Sequence, residues 1–545
     1  MSRRDRPDLI LALLVLAVGL LVRWLYVRAV AFPPLDDPAF YLTTAKNLVS
    51  GRGLVVDALW SYQMPFPGVT HPSHEHWMPV TTGLIASAFA VLGPSLRAGQ
   101  LPGMLLGALL APLTYLAGRR ILPGDPHNRW VALSAALLVA VNATLGYQST
   151  SADSSAPFAL LAACALLAAS SRVTLLGAII TGLLVALAYL TRSDGLLLLV
   201  AIPLAWWLLP VAPQGRPQAG GPQGGQPQGV APTKGRRPGL AALAVIILAF
   251  GLAIAPWLAR NYSAFGTPLP TSVLSQARLV DYVDTFNYHT APTWGTLLAQ
   301  GLPALLLQRI DALLHNGGVF LLSTFPWGLL ALPGLVLLGQ LRRLQAFFLP
   351  AVYGLVLFLA TAVVFPVSTV SGTFYHSLGA VVPFLALAAV YAIQRASQHP
   401  TRGRKPAHPT RQPVLVGVMA GLVALAGAQT ILTLPAVTER HRAEEEQFTA
   451  VAAWLAEHAA PGSVVMTTQP YTLNYASGYP AIVLPGNEPT DAAWEAAQRY
   501  GARFLVITQA FGSYPEILQQ GADPRFHLLD SINGTEIYGL GGGQP

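Results

Sequence analysis

Residues 9–48 read LILALLVLAVGLLVRWLYVRAVAFPPLDDPAFYLTTAKNL. A membrane-crossing helix needs about 20 mostly apolar residues, and the run 9–31 supplies them. Two adjacent carboxylates, Asp36 and Asp37, follow almost at once. Ionisable groups at a bilayer boundary are costly. The pair is therefore a helix cap, an accident of topology or a reactive centre.

The whole chain agrees with the apolar run. Of 545 residues, 53% are hydrophobic and only 10% charged, with a mean hydropathy of +0.50. A soluble protein carries roughly 25% charged residues, so this is an integral membrane protein. The net charge of +8 is then a matter of topology rather than of nucleic acid, and no nucleic-acid partner is expected. Cys164 is the lone cysteine, which excludes an intramolecular disulfide and a cysteine zinc site. MSRRDRPD leads into the first run with no small-residue cleavage pattern close behind. A retained first helix is the expectation, a cleaved signal peptide the alternative.

Further candidate spans are 99–118, 130–147, 157–171, 174–191, 195–211, 239–258, 317–340, 346–366, 378–394 and 414–434. The run 79–92, PVTTGLIASAFAVL, is short and diluted by Thr81, Thr82 and Ser87. Charge decides its reading. If it does not cross, the basic turns at 119–129, 172, 216–237, 342–343 and 395–411 all fall on the side of the N-terminus. The segment is therefore expected to lie in the outer interface. The expectation is a polytopic α-helical protein of eleven spans, N-terminus cytoplasmic and C-terminus extracytoplasmic. The outer face carries long loops at 32–98 and 259–316, and the inner face carries linkers at 213–239 and 398–413.

After a domain of 1–435, the composition of 436–545 becomes that of a small soluble α/β domain. Residues 444–460 and 490–502 read as helices, the latter with Thr490 as cap. Residues 463–467, 481–485 and 503–508 read as strands. Residues 527–540 read as a hairpin turning at Asn533-Gly534, in preference to a glycosylation sequon.

Polar groups gather at the outer ends of the spans. The first loop holds Asp36, Asp37, His71, His74, Glu75 and His76. Asp153 lies in YQSTSADSSAPF, Arg192 and Asp194 in YLTRSDGLLLL, Arg260 in APWLARNYSAFGTPLP, and Tyr375 and His376 in FYHSLGAVVPFLAL. Each also has a plain structural reading. Asp37 precedes Pro38, favoured at the first helical position, and reads as the cap of its own helix. That leaves Asp36 without a structural duty. Asp153 reads equally as cap or functional group. Arg192 and Asp194 read as a local pair, and Arg260 as a headgroup anchor. His71, His74, Glu75 and His76 are metal ligands by type, but HPSHEH lacks the HExxH spacing and a further ligand. Histidines at an interface serve phosphate equally well. No cofactor is certain from the sequence, and a divalent metal is the open alternative. Trp60, Tyr62, Phe66 and Trp77 read as interface anchors.

Taken in order, these segments resemble the GT-C superfamily of polytopic glycosyltransferases. The nearest look is the bacterial branch related to protein O-mannosyltransferases and the lipid A aminoarabinose transferase. The likeness runs from DDPAFYLTTAKNL through HWMPVTTGLIASAFAVLG, LTYLAGRRI, YQSTSADSSAPFALL, LTRSDGLLLL and PWLARNYSAFGTPLP to FYHSLGAVVPFLALAA, covering about 16–395. It implies a polyprenyl-phosphate sugar donor, a lipid, glycan or protein acceptor, and a cell-envelope reaction at the bacterial inner membrane with inversion at the anomeric carbon. It also implies that the first residue of the acidic pair, Asp36, is the base, with Asp37 and Asp153 beside it. Arg260, His376, Arg192 and Tyr375 are then candidates for the donor phosphate. Relatives carry an Arg-Tyr pair where this chain has Tyr375-His376. Two other classes stay open: a lipid-linked sugar transporter or flippase, and a membrane scaffold without catalysis.

Overall fold

The structure is a computed structural model describing residues 6–34, 36–122, 128–170, 174–208, 239–270, 273–340, 345–398, 411–508 and 523–541. Almost all of the linker 213–239 and most of 398–413 lie outside the described residues, as do Arg172, Arg342 and Arg343.

Among the described residues, Arg6–Ala29, Leu96–Ile121, Leu240–Phe265, Ala346–Val364 and Leu415–His458 are long and apolar enough to cross a membrane. Two bent pairs bring the number to seven, and five shorter apolar helices, Pro79–Leu92 among them, run 10–17 residues. The chain is a multi-pass membrane protein. The helices are apolar on the outside too. Leu240–Phe265 buries Ile246, Phe250 and Ile254 but exposes Ile247, Leu248 and Leu252, as lipid-facing helices do.

Two expectations change. The run 317–340 is not one straight span: Gly301–Ser323 and Gly328–Leu338 meet at 95°. The helix also starts well inside the expected loop 259–316, because Gln308, Arg309, Asp311 and His315 interrupt its apolar pattern without breaking the helix. The run 378–394 is similarly entered through a 63° bend.

Small residues bring helices together, as is usual where lipid is as apolar as the helices themselves. A Cβ on Gly334 would lie 1.9 Å from the Ala388 carbonyl oxygen, and one on Gly182 would lie 2.5 Å from that of Ile246. A charge sits inside the bundle as well. Arg23 is fully buried and donates to the Ser149 hydroxyl (3.1 Å) and the carbonyls of Gly19 (3.1 Å) and Ala140 (3.4 Å). At the opposite end of its helix, Asp8 meets Arg129 at 3.0 Å and Arg119 at 3.2 Å. The start of the first helix and the first basic turn thus share one end of the bundle.

The other end carries the mixed α/β region. Its strands are β1 (Val55–Val56), β2 (Ala58–Leu59), β3 (His71–Pro72), β4 (Val464–Thr467), β5 (Ala481–Val483), β6 (Ala502–Ile507), β7 (Phe526–Ile532) and β8 (Thr535–Leu540). The six-stranded sheet runs β2-β5-β4-β6-β8-β7, parallel from β2 to β6 and antiparallel beyond. The β7–β8 hairpin turns at Asn533-Gly534, both at positive φ, the two-residue geometry that such a pair favours.

The edge strand β2 belongs to the first loop, 32–98. Ala58 pairs with Ala481 and Leu59 with Ile482, so residues far apart in the chain close one sheet edge. The expected division at 435/436 falls inside one continuous helix, Arg411–His458. Thr490 does not cap: the helix Thr490–Tyr500 already includes it, and the capping position is Pro489. Glu488 holds the loop after the seventh expected span, accepting from the N–H groups of His289 (3.0 Å) and Thr290 (2.9 Å).

Gly334→Ala should lower the melting temperature of the detergent-solubilised protein by an amount corresponding to about 1–3 kcal/mol of overpacking. Gly317→Ala, where a Cβ meets nothing within 4 Å, should leave it unchanged. Equal behaviour of the two variants would contradict the helix contact.

Candidate active site

The acidic pair opens the helix Asp36–Val49. This helix starts two residues earlier than the Pro38 signal implies, because a proline is tolerated throughout the first turn, where its missing N–H has no intrahelical partner. Asp37 is therefore not the N-cap. It lies within the first turn, partly exposed, and faces Asp153, His376 and Arg192, with the Trp77 indole N–H donating to it. Burial and the nearby Asp153 push its carboxyl up, against the pull of His376 and Arg192.

Asp36 has the structural partner instead. Its Oδ1 accepts from the backbone N–H of Thr472 at 2.9 Å and from the Thr472 hydroxyl at 3.0 Å. It is only 9% exposed. Burial pushes its carboxyl up to about 7, partly offset by the Thr472 hydrogen bonds. A carboxylate with that value changes its charge close to neutral pH.

The second loop brings Asp153 to the same place. His376 Nδ1 lies 2.9 Å from Asp153 Oδ2, and the Ser155 hydroxyl bridges them, 2.9 Å from Asp153 Oδ2 and 2.7 Å from His376 Nδ1. The Ser154 N–H and hydroxyl donate to Asp153 Oδ1. Burial works to raise this carboxyl, but His376, Arg192 and the Ser154 N–H outweigh it and hold it well below the ordinary range. Arg192 donates to the Ser154 hydroxyl at 3.0 Å and pairs with Asp194 at 3.1 Å. The Ser377 hydroxyl donates to Asp194 in turn. The Tyr375 ring lies 5.4 Å from that of His376, and Gln148 donates to its carbonyl.

The structure thus brings together Asp37, Asp153, Arg192, Tyr375 and His376, with Asp36 adjoining. Arg260 stands apart from them. Its guanidinium lies over Trp257 at 5.0 Å and Phe265 at 5.1 Å, near the Leu54 carbonyl.

The histidines of HPSHEH are spent on packing and hydrogen bonds. His74 uses both ring nitrogens, on Ser73 (2.8 Å) and Thr82 (2.9 Å), and burial together with Arg260 pushes it down to about 3. His76 packs between Trp60 and Trp77. His71 bonds the Val69 carbonyl at 2.7 Å. Among the described residues, no group of three or more His, Cys, Asp or Glu side chains is arranged to hold a metal ion. Trp60 and Trp77 are likewise buried with Phe40 and Phe286 and belong to the core under the loop.

Sequence reading missed Thr472 and Ser155 and took Trp77 for an interface anchor. Ser155 and Trp77 lie within segments whose charged neighbours drew the attention. Thr472, in PYTLNYAS, carries no local signal at all.

No family model and no curated protein matches the chain. Solved structures do. The crystal structure of ArnT from Cupriavidus metallidurans bound to undecaprenyl phosphate aligns over 98% of this chain and 99% of its own, at a TM-score of 0.55 and 13% identity. The archaeal oligosaccharyltransferase AglB from Archaeoglobus fulgidus, in complex with an inhibitory peptide and a dolichol-phosphate, aligns over 93% of this chain and 70% of its own, at 0.50 and 13%. Both are GT-C proteins, and the resemblance read from the sequence holds at the level of the fold.

Asp153→Ala and His376→Ala, made singly and together, should show a coupling of about 1–3 kcal/mol in a thermal-unfolding cycle. Additive effects would mean that the pair is not formed.

Proposed function

We propose that the chain is an inverting membrane glycosyltransferase that moves a sugar from a polyprenyl-phosphate donor to an acceptor hydroxyl at the outer membrane face. The observation that carries this reading is the meeting of Asp36, Asp37, Asp153, Arg192 and His376 at one end of an apolar bundle with the GT-C fold. Two proteins of that fold have been seen with a polyprenyl-type phosphate.

The chemistry follows from the charges. Asp36 takes the proton of the acceptor hydroxyl through Oδ2, the oxygen not held by Thr472. The acceptor oxygen forms its bond to the anomeric carbon as the bond from that carbon to the phosphate oxygen breaks. The electron pair leaves with the lipid phosphate. Arg192 and His376 stabilise that developing charge, while Asp37 and Asp153 fix the cations in place. Tyr375 lines the same wall, and Arg260, set apart, serves the donor less directly.

The topology read from charge fits the same picture. Seven spans, counting each bent pair as one, would together with the four shorter apolar helices other than Pro79–Leu92 give the eleven crossings. The N-terminus is then cytoplasmic, the site extracytoplasmic, and the membrane the bacterial inner membrane. A transporter would place its ionisable groups at the midplane of broken helices. Here most acidic and basic groups gather at helix ends, with Arg23, enclosed by the bundle, and Arg309 and Asp311, within Gly301–Ser323, as exceptions.

The test is donor turnover by purified protein supplied with synthetic undecaprenyl-phosphate sugars and membrane-extracted acceptors. Asp36→Asn should reduce transfer by at least about a hundredfold, the usual size of a general-base effect. Asn caps a helix as well as Asp does, so this variant should fold. If Asp36→Asn transfers normally while Asp37→Asn is inactive, the base is Asp37, the more exposed carboxylate beside Asp153.

The rate should also rise with pH through about 7, the value to which burial brings Asp36. The sign follows because only the ionised carboxylate accepts the proton. A profile flat between about pH 5 and 8 would count against a carboxylate base so placed.

A further inference from the structure

We infer that the C-terminal domain completes the active site, with Thr472 as the residue that positions the Asp36 carboxylate. This rests on the reading of Asp36 as the base. The helix Pro470–Ser477 opens with a proline, and Gln469 before it makes no side-chain cap bond. Its first-turn N–H groups therefore need an acceptor from elsewhere. Asp36, 436 positions away in the sequence, provides it: the Thr472 N–H and hydroxyl both converge on Oδ1. The positive end of the helix favours an anion at that point. With Oδ1 held twice by Thr472, and the Tyr471 N–H bearing on the same carboxylate, its rotation is fixed.

The surrounding contacts make the arrangement stiff. Tyr471, next to Thr472, is fully buried and packs edge-on against Phe40 (5.1 Å) and Trp77 (5.3 Å). Phe40 lies one turn along from Asp36 on the same helix. The pairing of β2 with β5 fixes the first loop to the same domain. A base left free to swing would lose reactive geometry, and a 1 Å displacement already costs much of the rate. The domain is therefore part of the catalytic apparatus.

The test uses the full-length protein in nanodiscs. The protonation of Asp36 is followed by infrared difference spectroscopy of its carboxyl band, with Asp36→Asn as the subtraction. Thr472→Val keeps the volume and the backbone donor but removes the hydroxyl. Losing a donor to the charged form should move the Asp36 midpoint upward by about 0.5–1 pH unit, the size of one such hydrogen bond. The acid limb of the turnover profile should move with it. Turnover number should drop about three- to tenfold while KM stays the same. Thr472→Ser should restore the midpoint and the rate. A midpoint unmoved in Thr472→Val, or a serine variant that behaves as the valine one, overturns the positioning role while leaving Asp36 as base. Transfer retained in a folded Asp36→Asn removes the base itself, and the inference with it.

Discussion

Two hydrogen bonds from Thr472 to one oxygen of Asp36 join the start of the chain to its end. Everything at that end of the molecule depends on the joint. The first loop has too little secondary structure to stand alone: β1, β2 and β3 have two residues each. Isolated pairings of that length are not stable in water. The loop is ordered because the C-terminal sheet accepts β2 at its edge and because Phe40, Trp60 and Trp77 share a core with Trp454, Tyr471 and Val483. The exchange is mutual. Without β2, the parallel strand β5 would present an unpaired edge, and without Asp36 the helix Pro470–Ser477 would lack an acceptor for its first turn.

The charges follow the same logic of enclosure. Three carboxylates lie close together, and in a poorly solvated site like charges cannot all ionise freely. The structure separates their conditions. Asp153 receives His376, Arg192 and three donors from Ser154 and Ser155, and is the most firmly ionised of the three. Asp36 receives neutral donors from Thr472 and the Tyr471 N–H, and burial dominates. Asp37 lies between the two environments. Paired titratable groups pushed in opposite directions are what an acid–base site requires, and here the opposition comes from which neighbours each carboxylate has rather than from its residue type.

Much of this was legible in the sequence. Apolar runs gave the helices, and the ordered segments from DDPAFYLTTAKNL to FYHSLGAVVPFLALAA gave the fold, because both depend on local composition and order. The strands at 464–467, 481–483 and 502–507 and the Asn533-Gly534 turn followed from local pattern too. Caps were read less well. A cap is one hydrogen bond, and its partner is not restricted to the same helix. Local rules gave Asp37 the cap and left Asp36 spare, whereas the fold makes Asp36 the cap of a distant helix and turns Asp37 toward His376 and Arg192. HPSHEH failed in a related way. Three histidines in six residues look like ligands, yet burial against Phe66, Thr82 and Trp60 accounts for each of them.

The same reasoning bears on how the C-terminal sheet is attached to the helices. The helix Arg411–His458 spans roughly 70 Å at 1.5 Å per residue, more than twice a hydrocarbon core. A flexible tether would let the domain drift. A continuous helix instead carries the position of the last crossing into the sheet, and Tyr26 in the first crossing meets Thr433 on that helix at 2.7 Å. The first and last helices of the bundle are thereby held together just below the point where Asp36 meets Thr472. A carboxylate on one loop and its donor on another domain keep a fixed separation only if the two helices that deliver them are themselves fixed. That is the physical reason to treat the first helix, the last helix, the first loop and the sheet as one structural frame around the acidic pair.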